Sequence, residues 1–86
     1  MPGNNKISQH RNKIDKIDLK VLALLNRRAE HSLKIREIKK ENGTEIYDKA
    51  REEEIIKQLC EQNEGPLKDK DIENLYKDIL KTMREL

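Results

Sequence analysis

The chain has 86 residues, of which 42% are charged and only 2% aromatic, with no Trp and no Phe, so a core built on aromatic side chains is excluded and a single all-α domain is favoured. The net charge is only +2, and acids interleave with bases throughout, which leaves no one-signed face for nucleic acid or an anionic membrane, so neither is expected as a partner and a nucleic-acid binder ranks third among the readings. Cys60 stands alone, so an intrachain disulfide or a cysteine metal cluster is ruled out, and a reducing cytoplasm with neither secretory leader nor membrane span is the expected setting.

Residues 1–6, M-P-G-N-N-K, have no apolar run and read as a disordered lead-in. From Ile7 onward the apolar residues recur with heptad spacing, as Ile7, Ile14, Val21 and Ile35 at one position and Ile17, Leu24 and Ile38 at the other. The spacing predicts one long helix over about 7–41, stopped at Asn42-Gly43, where glycine can take the left-handed conformation that ends helices. Such a helix is roughly 50 Å long, against about 30 Å for a compact globule of this size. Two short helices cannot cover its stripe, so a homodimer is expected.

Asp48 can accept backbone N–H groups as the N-cap of a second helix over about 49–63, with Ala50, Ile55, Ile56, Leu59 and Cys60 facing inward. Asn63-Glu64-Gly65-Pro66 breaks the chain, and Asp69 is expected to cap a third helix over about 70–86. The apolar face of that helix is Ile72, Leu75, Tyr76, Ile79, Leu80, Met83 and Leu86. No strand pattern, repeat or low-complexity tract occurs.

The long helix raises one difficulty. By heptad count Arg28 takes the position of Ile14, Val21 and Ile35, where a buried unpaired charge is expensive. One reading is an arginine that snorkels outward or pairs with Glu30 or an acid of a partner chain. The other is an anion site: Lys39 follows Arg28 by about three turns, so the two cations share a face about 16 Å apart with Ser32 and Ile35 between them. Arg11 lies about 25 Å before Arg28, out of reach within one helix, but an antiparallel partner would bring its own Arg11 alongside. At the start of the second helix D48-K-A-R-E gathers Asp48, Arg51 and Glu52 within about one turn, either as a cap with solvated charges or as a further part of the same site.

The ordered fragments H-R-N-K-I-D-K-I-D-L-K-V-L-A-L-L-N-R-R-A-E, K-I-R-E-I-K-K, I-Y-D-K-A-R-E-E-E-I-I and N-E-G-P-L resemble the all-helical class of chorismate mutase over residues 8–86. The likeness is closest to mutase domains fused to prephenate dehydratase or to DAHP synthase. The resemblance implies an intertwined homodimer of three-helix chains with shared active sites. It implies chorismate as substrate, prephenate as product, a possible fused or associated second enzyme domain, and no cofactor or metal. It assigns the two substrate carboxylates to Arg28 and to the partner's Arg11, and the ether oxygen and a carboxylate to Lys39. Glu52, with the backbone near Asp48, takes the ring hydroxyl; Arg51 lies near the ring carboxylate and Met83 lines the site. A Gln or Glu that serves the ether oxygen in the family falls one residue past Leu86 in this alignment, so weak turnover is expected of the chain as it stands.

His10 and His31 have no His or Glu at metal-ligand spacing, and Tyr47 and Tyr76 read as packing residues. Cys60 lacks a basic neighbour to activate it. The competing reading is a non-catalytic helical dimerisation or regulatory module whose seam cations set the register. It explains the long helix, but not why acids and bases gather again at 48–52.

Overall fold

The computed structural model describes residues 2–86, and for side chains residues 5–86. Its elements are α1 (Pro2–Glu41), α2 (Lys49–Gln62) and α3 (Asp69–Arg84), with no strand among the described residues. The fold is all-α. Helix α1 begins at Pro2, not at residue 7, so the lead-in expected over 1–6 is helical wherever it is described; Met1 lies outside the described residues. Proline suits a first helical turn because its φ is preset and it brings no N–H to satisfy. A long helix also propagates through Gly3, Asn4 and Asn5, which could not nucleate one.

The chain divides into two units, residues 1–31 and residues 32–86. The first is the N-terminal stretch of α1. Its apolar stripe is open: Ile14 is 53% exposed, Ile17 55% and Leu24 58%, and Ile7 and Val21 are exposed as well. Arg28 is half-buried, unlike Ile14, Val21 and Ile35, with which the heptad count grouped it. A straight α-helix drifts about 20° per heptad from a 3.5-residue repeat, so two heptads after Ile14 the side chain of Arg28 is still within about 40° of it, on the same broad face. The half-buried positions of α1 are Leu25, Arg28, Ala29, Ser32, Arg36 and Lys39, which recur at helical spacing.

In the second unit α1 ends as its sequence requires. Gly43 adopts φ +67°, Thr44 N–H donates to Lys39 O at 2.8 Å and Gly43 N–H to Lys40 O at 3.3 Å. This paired closure is available to glycine without the steric cost of a Cβ. Asp48 caps α2, its Oδ1 accepting the Arg51 N–H at 3.0 Å. Asn63 organises the turn to α3: its Nδ2 donates to Leu67 O at 2.7 Å and to Asp69 Oδ1 at 3.3 Å, while its Oδ1 accepts the Gly65 N–H at 3.1 Å.

Asp69 is not the cap of α3 but its first helical residue; Lys68 is the N-cap, and Asp71, three residues on, accepts the Lys68 N–H at 3.0 Å. A carboxylate at the third helical position can reach back to the cap N–H, which lets a residue with no capping side chain begin the helix. Helices α2 and α3 pack together, and their sheltered apolar residues are Ile55, Ile56 and Leu59 on α2 and Ile72, Tyr76, Ile79 and Leu80 on α3. Leu80 is the one buried apolar residue among the described residues. Ala50, Leu75 and Leu86, expected on inward faces, are exposed. Leu75 lies at the edge of the Ile72, Tyr76, Ile79 and Leu80 face, about 140° around the helix from Leu80, Ala50 sits in the first turn of α2, and Leu86 lies beyond the end of α3.

Candidate active site

Lys39 is the last half-buried cation of α1, and the glycine closure directs the chain back past it. Its Nζ donates to Ile46 O at 3.3 Å. Lys39, Tyr47 and Asp48, with Thr44, Glu45 and Lys49, line an open cleft of about 460 Å³ between the end of α1 and the start of α2. An ammonium has three donors, so two remain for a ligand. The Asp48 carboxylate is committed to the Arg51 backbone N–H, and the Arg51 guanidinium pairs with Glu54 at 3.6 Å, both side chains more than half exposed. The structure thus brings Lys39 and Asp48 to one cleft, while Arg51 extends along the exposed face of α2.

Glu52 faces the other way. Its Oε2 meets Arg84 Nε at 3.3 Å, with the Glu52 side chain 20% exposed and the Arg84 side chain 34%. The Arg84 guanidinium lies over the Tyr47 ring, 4.6 Å from its centroid, and Arg36 Nη2 donates to the Arg84 backbone carbonyl. Met83 is half-buried one residue before Arg84. Of the two remaining candidates, which belong to the 1–31 unit, Arg11 is exposed and Arg28 half-buried.

Residues 10–86 match the family described as chorismate mutase type II. The chain belongs to that family. A bifunctional chorismate mutase/prephenate dehydratase of Neisseria gonorrhoeae is 39% identical over 72 residues, which cover 83% of this chain; the chain spans about a fifth (19%) of that relative's length. Among solved structures, form I of the chorismate mutase from Thermus thermophilus is similar with a TM-score of 0.89 and 33% identity, over 91% of this chain and 98% of that one. Form II gives 0.93 at 33% identity, over 94% and 92%. No helix of this mutase-family chain is long and apolar enough to cross a membrane, among the described residues.

Two participants in the polar cluster escaped the sequence analysis, Arg36 and Arg84. Arg84 follows Leu80 by one turn but lies about 100° around the helix from Met83, at the margin of the apolar face of α3, so periodicity alone did not single it out. Arg36 follows Ser32 by one turn and precedes Lys39 by less than one. In both cases the apolar stripe drew the reading to its neighbours. Tyr47, read as packing, supports a guanidinium instead. Cys60 is a half-buried thiol whose Sγ lies 3.7 Å from Asp69 O; burial first, then the Asp69 and Glu73 carboxylates, push its pKa up.

Proposed function

We propose that the chain catalyses the Claisen rearrangement of chorismate to prephenate in aromatic amino-acid biosynthesis, in the cytoplasm, as a homodimer with two shared sites. The family match over 10–86 carries this reading. The exposed stripe of Ile7, Ile14, Ile17, Val21 and Leu24 supports the dimer, since an isolated helix of this kind is marginal in water and each half-exposed side chain has roughly 1 kcal/mol still to gain from burial. A second enzyme domain, fused or associated, is the further partner that the bifunctional relative suggests.

The rearrangement is unimolecular and pericyclic, so its chemistry requires no nucleophile, metal or cofactor. It requires the dicarboxylate to be held in its compact conformer and the negative charge growing on the ether oxygen to be stabilised. Arg28 of one chain and Arg11 of its partner grip the carboxylates with the paired N–H donors that a lysine lacks. The two unspent donors of Lys39 meet the ether oxygen and a carboxylate. Glu52, with the backbone beside Asp48, accepts the ring hydroxyl, Arg51 supplements the field near the ring carboxylate, and Met83 packs against the ring.

The test is the ultraviolet absorbance of the chorismate diene. It should fall on addition of the protein, and Arg28→Ala or Lys39→Ala should each slow the loss on the order of 10²-fold while helicity is retained. No change at high protein concentration would favour a non-catalytic dimerisation or regulatory module.

A further inference from the structure

The ion pair between Glu52 and Arg84 differs from the other ion pairs described. Lys49 with Glu53, Arg51 with Glu54 and Lys70 with Glu73 are local pairs along one helix, with side chains 40–75% exposed. Such pairs contribute little. Glu52 and Arg84 instead join the first turn of α2 to the last turn of α3 and are far better sheltered. The guanidinium is held from two more directions, by the Tyr47 ring beneath it and by the Arg36 donor to its backbone carbonyl. An arginine so restrained offers Nε to the carboxylate in one direction only.

We propose that Arg84 is the positioning residue for Glu52, acting with Tyr47 and Arg36 to fix the carboxylate oxygens that receive the substrate's ring hydroxyl. The inference rests on the chorismate reading above. A carboxylate has about four lone-pair sites, of which the Arg84 Nε contact uses one. The oxygen left over can therefore accept a hydroxyl while the pair stays intact, and the charge of Arg84 keeps a sheltered carboxylate from being an unpaired one. Because the ring hydroxyl is remote from the bonds being made and broken, its contact is equally strong in the ground and transition states, and disturbing it should act on KM.

The experiment is a double-mutant cycle on chorismate turnover with Arg84→Gln, Glu52→Gln and both together, at one protein concentration and with helicity and melting recorded. Arg84→Gln should raise KM about tenfold, the worth of one charge-assisted hydrogen bond, with kcat within about twofold. In the Glu52→Gln background the same change should have almost no further effect. Arg84→Lys should recover much of the loss because it restores the charge. Equal losses in both backgrounds, or a kcat loss that follows a lowered melting temperature, would make Arg84 a structural tether and overturn the proposal. A parent chain that melts cooperatively yet consumes no chorismate would overturn the chorismate reading itself and this inference with it.

Discussion

Truncating one side chain of the exposed stripe tests whether a second chain covers it. Ile17 is more than half exposed on α1. Full burial of an isoleucine side chain is worth roughly 1.5–3 kcal/mol, so dimer closure adds about 1 kcal/mol per chain at this position, and two-fold symmetry counts it twice. Ile17→Ala should therefore weaken the dimer by about 2 kcal/mol, or roughly 30-fold in Kd, with any unfilled cavity increasing the loss. Alanine is the better helix former by a few tenths of a kcal/mol, which offsets little of this. Leu19→Ala is the control: Leu19 is 68% exposed and points about 200° around the helix from Ile17, away from the stripe. Sedimentation equilibrium over a concentration series reads both constants. The reasoning fails if Ile17→Ala leaves Kd unchanged, if Leu19→Ala weakens association as much, or if the parent chain is a folded monomer at micromolar concentration.

Mixing inactive Arg11→Ala chains with inactive Arg28→Ala chains should restore partial turnover, because one of the two sites in a heterodimer then keeps both arginines; no recovery in verified heterodimers would place both residues in one chain's site. Asp48→Ala should cost about 1 kcal/mol through loss of the cap on the Arg51 N–H, lowering Tm by about 4–8 °C at fixed protein concentration, with Asp48→Asn close to the parent; an unchanged melt would remove the cap from the account. The Cys60 thiol, with its pKa raised by burial and by Asp69 and Glu73, stays protonated at neutral pH, so its alkylation by iodoacetamide should accelerate only above the ordinary thiol range, and a half-maximal rate at or below about pH 8 would contradict the assigned environment.

The sequence by itself determined the local events. The α1 stop at Asn42-Gly43 and the Asp48 cap each depend on contacts within about one turn, so residue type at a given spacing was enough. The same holds for the all-α class and for the family, whose residues are matched in order along the chain. Periodicity gave faces but not shelter: Arg28 lies within about 40° of Ile14 around α1, yet Arg28 is half-buried and Ile14 is exposed. Only the tertiary structure decided what meets what at long separation. That Arg36, Tyr47 and Glu52 all converge on Arg84 depends on α3 returning to the end of α1 and the start of α2, and no spacing within a helix encodes that return. A partner for the charge of Arg84 exists only where separate elements pack, because a charge leaves water at an acceptable cost only when another element supplies its counter-charge.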